Sequence, residues 1–194
     1  MKNLNINPYE IKSSLTNYIK NPVSEIKTLP QWNWQSILFA QIILTAATGA
    51  LAGLLSKSIL SILSGIILFP ILTMITLGVS SVFFYYTFQI FSEKQIPFSR
   101  LFHLVFLANI PLFIFQIISN YLPPVTLVGL LFTAFLLVVG LTENFSLNKK
   151  LVIKIISALY VLFFMVWIWS RFDASEIQNS WNDPNRAPEV QLGE

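Results

Sequence analysis

Residues 101–142 read LFHLVFLANIPLFIFQIISNYLPPVTLVGLLFTAFLLVVGLT, flanked by Arg100 and Glu143 and without one Lys, Arg, Asp or Glu inside. A membrane-spanning helix needs about 20 apolar residues at a rise near 1.5 Å each. The run is twice that length. Near its middle, Pro123 and Pro124 remove two backbone donors and stop helix propagation. The stretch therefore reads as a hairpin of two spans, residues 100–120 and 125–141.

On either side lie three more charge-free stretches, residues 28–56, 58–92 and 155–170. The first gives a span at 34–55, with Trp32 and Trp34 where interfacial aromatics belong. The last gives a span at 151–170, with Lys154 one turn inside and able to snorkel. Residues 58–92 are too long for one span across a core of about 30 Å. We expect a short interfacial or buried helix at 58–69, a break at Pro70 and a span at 71–91. The alternative is two very short spans without a polar turn. Charge decides. With five spans and the N-terminus inside, nine of the twelve Lys and Arg residues fall on the cytoplasmic side, leaving Lys57, Arg171 and Arg186 outside. With six spans the two sides carry equal numbers. The expected fold is an all-α integral membrane bundle of five transmembrane helices, with the N-terminus cytoplasmic and the C-terminus extracytoplasmic.

Composition agrees. The 194 residues are 55% hydrophobic and 11% charged, with a mean hydropathy of +0.67. Soluble domains carry about 25% charged residues, so soluble, disordered and nucleic-acid-binding classes are excluded. The net charge of +3 is scattered along the chain. The absence of cysteine excludes disulfides and thiol chemistry, and a single histidine leaves no histidine-rich metal site.

Outside the spans, residues 1–33 form a cytoplasmic N-terminal segment and residues 171–194 a polar, acidic tail expected to be disordered. No apolar run of 7–15 residues occurs in the first 30, so no cleaved leader is expected. Asn7-Pro8-Tyr9-Glu10 and Asn21-Pro22-Val23-Ser24-Glu25 each read as a helix start. Ile11, Leu15, Tyr18 and Ile19 follow helical spacing beside Lys12 and Lys20. A helix lying on an anionic inner leaflet and a plain solvated arm both fit that pattern.

The spans hold no paired carboxylates, histidine cluster or Ser/His set, so no catalytic, cofactor-binding or metal-binding residue is expected and the protein reads as a non-enzyme. His103, beside Arg100, fits interfacial anchoring better than proton handling. Thr45, Gly49 and Gly53 recur every four residues on the first span, a small-residue stripe that lets another backbone approach. Gly129 and Thr133 offer a second such surface. Gln41, Asn109 and Gln116 are intramembrane polar groups that need partners, and Pro111 is expected to kink the third span. In the last cytoplasmic loop Glu143 is followed by Lys149 and Lys150, cations that favour anionic lipid. Glu143 reads either as paired with Arg100 or Lys94 or as a solvated carboxylate.

Several stretches resemble the Yip-domain (Ypt/Rab-interacting protein) family of five-span membrane proteins. Residues 21–27, NPVSEIK, with Pro30, look like its proline-opened helix before the first span. Residues 97–102, PFSRLF, leading to Ala108-Asn109-Ile110-Pro111, look like its third-span start and mid-span proline. Residues 140–150, GLTENFSLNKK, look like its last cytoplasmic loop. The resemblance implies a non-enzymatic protein with the N-terminus inside. Eukaryotic members are associated with Rab GTPases, vesicle traffic and organelle membrane shape, whereas many bacterial members have no assigned activity. Without a long Pro/Gln-rich cytoplasmic tail, this chain resembles a prokaryotic member of the cell membrane. Two functions stay open: a membrane scaffold or interaction protein, and a small transporter or lipid-handling permease using the polar third span. The expected partners are the lipid bilayer, with its anionic inner leaflet, and protein partners or a second copy through the membrane helices, not nucleic acid.

Overall fold

A computed structural model describes residues 8–92, 95–119 and 121–181. Among them the secondary structure is helical throughout: α1 (Pro8–Lys20), α2 (Pro22–Glu25), α3 (Trp34–Leu55), α4 (Ile59–Ser92), α5 (Phe98–Ala108), α6 (Ile110–Gln116), α7 (Val125–Phe145) and α8 (Lys149–Trp181). Five stretches are long and apolar enough to cross a membrane: Trp34–Leu55, Ile59–Ser92, Phe98–Gln116, Val125–Phe145 and Lys149–Ser170. The chain divides into two compact units, Met1–Ser157 and Ala158–Glu194, with the boundary inside α8.

Local chemistry sets the helix ends. The Asn33 side chain accepts from the Ser36 N–H at 2.7 Å and starts α3 one residue before Trp34. Lys57, with φ of 53°, takes the left-handed conformation that turns α3 back into α4. Ser146, with φ of 49°, ends α7 in the same way, and Asn148 then accepts from the Lys150 N–H at 3.0 Å as α8 begins. The Pro123-Pro124 hairpin is present, and α7 starts immediately after it.

The second span departs from expectation. No break occurs at Pro70: α4 is one helix of 34 residues, about 51 Å long, and residues 59–69 are its first part, not a separate interfacial helix. The reason lies in the neighbouring helix. Pro70 is buried against α3, where the Gln41 amide donates to the Pro70 carbonyl at 3.3 Å and to the Thr73 hydroxyl at 3.1 Å. Thr73 in turn donates to the Phe69 and Pro70 carbonyls at 2.8 and 3.0 Å. A proline is tolerated inside a membrane-spanning helix that packs against its neighbours, and these bonds tie the Pro70 turn of α4 to α3.

The third span is interrupted, at Asn109 between α5 and α6, two residues before Pro111. The Asn109 side chain donates to the Val105 carbonyl at 2.7 Å, one turn back in α5. Helix α6 stops at Gln116, short of residue 120, and Asn120 lies outside the described residues. The fourth span runs four residues beyond 141, to Phe145, and α8 continues past 170 to Trp181. Residues 171–181, expected to open a disordered tail, are therefore helical; 182–194 lie outside the described residues.

Helix α5 is the most enclosed element. Every residue from Leu101 to Ala108 is buried. Helices α3, α4 and α7 pack on it, and the N-terminal segment closes the remaining side. Ile11, Tyr18, Ile26 and Leu29 are all buried, Ile26 completely. The apolar stripe of α1 is thus turned partly inward onto protein: Ile11 and Tyr18 are covered, whereas Ile19 stays exposed.

Candidate functional site

Three places gather the residues the sequence singles out. The first is the seam between α3 and α4. Gly49 and Gly65 face each other so closely that a methyl group on either would overlap the other's carbonyl. One turn outward, a methyl on Gly53 would lie 2.6 Å from the Ile62 Cα. Thr45 and Thr48 are buried on this seam and spend their hydroxyls on their own helix, Thr45 on the Gln41 carbonyl at 2.7 Å and Thr48 on the Leu44 carbonyl at 3.0 Å. Gln41 is fully buried, and its Oε1 has no hydrogen-bond partner. Gly65 is a seam residue the sequence reading missed, although Ser61 and Gly65 repeat the same four-residue spacing. Beside the seam runs a groove of about 380 Å³, lined by Thr48, Ser56, Ser61, Ser64 and Gln116 among others.

The second is the contact of α6 with α7. A methyl on Gly129 would lie 3.1 Å from the Leu112 Cα and from the Phe115 Cβ. Phe115 and Phe132 stack with ring centres 6.0 Å apart. Thr133, one turn further, is buried, and its hydroxyl has no hydrogen-bond partner.

The third is the loop after α7, where the tie differs from either reading of Glu143. Glu143 is exposed and forms no ion pair among the described residues; Lys94 lies outside them. Lys149 and Lys150 are exposed too. The link is made one residue along. The Asn144 amide donates to the Ile26 carbonyl at 2.7 Å and to the Gly140 carbonyl at 2.9 Å, while its oxygen accepts from the Leu29 N–H at 3.3 Å. Gly140 leaves room for that approach, since a methyl there would sit 3.2 Å from the Ile26 side chain. A neutral amide thus clamps the N-terminal segment to the end of α7.

Next to this clamp, Trp32 stacks on His103, ring centres 4.8 Å apart and planes 22° from parallel. A crevice of about 290 Å³ opens there, lined by Pro30, Gln31, Trp32, Ser99, Arg100 and His103 together with Ile37. His103 is 2% exposed, and its Nε2 has no hydrogen-bond partner; neither does the buried indole N–H of Trp32. On the other side of Trp32, Tyr18 and Leu107 border a void of about 10 Å³. The Tyr18 hydroxyl is buried without a partner, and burial pushes its pKa up. No group of three or more His, Cys, Asp and Glu residues is gathered among the described residues.

Over residues 17–170 the chain matches the family described as the Yip1 domain. No curated protein and no solved structure matches it. The matched stretch begins inside α1, so it takes in the segment that Asn144 clamps as well as all five long apolar helices. The likeness seen in residues 21–27, 97–111 and 140–150 is therefore a family relationship, and this multi-pass membrane protein belongs to the Yip1 domain family.

Proposed function

We propose that the protein is a non-enzymatic scaffold of the cell membrane, organising lipid and protein partners through its helices. One observation supports this above others. The polar side chains of the spans are largely used up within the protein: Thr45, Thr48, Thr73, Ser81 and Asn109 bond to carbonyls of their own helices. Polar groups spent in this way leave little to coordinate a passing solute. In this reading residues 1–33 are the cytoplasmic N-terminal region, 34–170 the membrane domain and 171–194 the outer tail, in a membrane whose inner leaflet is anionic. Labelling of Ser175→Cys by an impermeant maleimide tests the orientation, since the chain has no native cysteine. Labelling from the outside is expected, and labelling from the cytoplasm would refute it.

The groove beside the α3–α4 seam, with Gln116 and its line of serines, is the observation that favours a permease. Flux of small solutes and lipids in proteoliposomes discriminates. The scaffold reading expects no saturable flux; saturable flux abolished by Asn109→Leu or Gln116→Leu would replace it with the permease.

A further inference from the structure

The crevice at the start of α5 combines four features that rarely meet by chance. Among the described residues that line it, the one charged side chain is a cation, Arg100, and none is a carboxylate. His103, nine-tenths buried and more, borders it, and its ring makes no hydrogen bond among the described residues. The first hydrogen bond of α5 runs from the Leu101 N–H to the Pro97 carbonyl, so the N–H groups of Ser99 and Arg100 have no acceptor within the helix. These groups carry the positive end of the helix dipole, where anions bind. Finally, Trp32 lines the crevice, and close by in the chain Trp34 packs 6.3 Å from Phe98 and 4.8 Å from Phe102. Aromatic clusters at the end of a membrane span are enriched where phospholipid headgroups lie.

We propose that this crevice binds the phosphate of an anionic phospholipid headgroup, with the Arg100 guanidinium, the His103 ring and the first-turn N–H groups of α5 as donors. Arginine suits a phosphate diester because its planar fork gives two parallel hydrogen bonds. The Trp32 ring fixes the imidazole plane by stacking, so the His103 ring is held in place before the headgroup arrives. The volume, about 290 Å³, matches the small end of ligand pockets, which start at roughly 300 Å³. The site goes beyond the scaffold reading and does not depend on it, since a permease could hold the same lipid.

The chain has one histidine, so the imidazole ¹⁵N resonances of the full-length protein report on this site alone. The protein in maltoside micelles is titrated separately with dihexanoylphosphatidylglycerol, dihexanoylphosphatidylcholine and inorganic phosphate. Phosphatidylglycerol is expected to shift the imidazole ¹⁵N signals saturably, at concentrations at least about tenfold below the other two. Arg100→Gln should weaken that response by about tenfold or more. Ser99→Asp, at an exposed position, should weaken it comparably by placing a carboxylate at the rim. Lys27→Gln, which removes one exposed positive charge away from the crevice, should leave it unchanged. A response to inorganic phosphate without one to phosphatidylglycerol would overturn the lipid assignment. Equal responses to the two lipids would overturn the selectivity for anionic headgroups. No response to any of the three, or one that Ser99→Asp leaves intact or Lys27→Gln weakens equally, would overturn the site.

Discussion

The α3–α4 hairpin and the layer formed by α5 with the N-terminal segment solve the same packing problem by opposite means. In the hairpin, two long apolar helices approach until backbone meets backbone at Gly49 and Gly65, and their outer faces are left exposed for lipid. Lipid tails are as apolar as leucine, so dispersion between close backbones is what holds such a pair together. Helix α5 is wrapped on all sides by protein, and part of that wrapping is a segment carrying Glu10, Lys12, Lys20 and Glu25. There the stabilising contacts are a directed amide clamp and aromatic stacking, and unpartnered polar atoms remain on Tyr18, Trp32 and His103. The α3–α4 seam rests mainly on shape, with the Gln41 amide as a polar tie to Pro70 and Thr73. A seam at the membrane interface needs polar partners, and where they are incomplete the protein has a place for a ligand.

The contrast can be broken in four ways, ranked by expected effect. Gly49→Leu forces bulk into the Gly65 backbone and should cost about 3 kcal/mol, read from thermal unfolding in detergent. A loss below about 1 kcal/mol would mean the two helices are not locked at that point. Asn144→Leu removes the clamp and leaves the Ile26 carbonyl and Leu29 N–H without it, at about 2 kcal/mol. It should also speed tryptic cleavage at Lys20 and Lys27, which Gly49→Leu should not do selectively.

The third test uses pH. Burial raises the Tyr18 pKa, whereas an unfolded tyrosine ionises near pH 10. Above that pH the unfolded chain has released a proton that the folded chain keeps, so stability falls as pH rises. The slope reaches at most about 1.4 kcal/mol per pH unit, and below about pH 9 Tyr18 contributes none. Melting temperatures at pH 9 and pH 11 should therefore drop less in Tyr18→Phe than in the parent. Identical drops would place Tyr18 outside the packed layer. The smallest effect belongs to Glu143→Gln, expected within about 0.5 kcal/mol and insensitive to salt, because Glu143 is exposed beside a clamp that carries no charge. A loss that shrinks with added salt would restore an ion pair to that loop.

The five helices could be read from the sequence because the signal is local: charges stop where lipid begins, and Pro123-Pro124 marks a turn without help from distant residues. Pro70 was misread for the complementary reason. Its turn of α4 is tied to α3 by Gln41, twenty-nine positions away, and no local rule carries that information. Thr45, Gly49 and Gly53 could be singled out by spacing, but their counterpart Gly65 emerges only when α4 continues through Pro70. Asn144 gave no signal at all. It sits between the conspicuous Glu143 and the paired lysines, and its partner atoms are backbone groups of Ile26 and Leu29, whose side chains say nothing about them. The Trp32–His103 stack is likewise a meeting of two segments that the sequence shows as separate interface markers.

The central claim is that residues ahead of the first span form a packed layer of the membrane domain. Maleimide labelling of single cysteines in membranes tests it on a cysteine-free background. Ile26 is fully buried under Gly140 and the Asn144 clamp, while its neighbour Lys27 is exposed. Ile26→Cys should react at least about tenfold more slowly than Lys27→Cys, and adding Asn144→Leu should bring the two rates together. Equal rates in the otherwise unaltered protein would contradict the account.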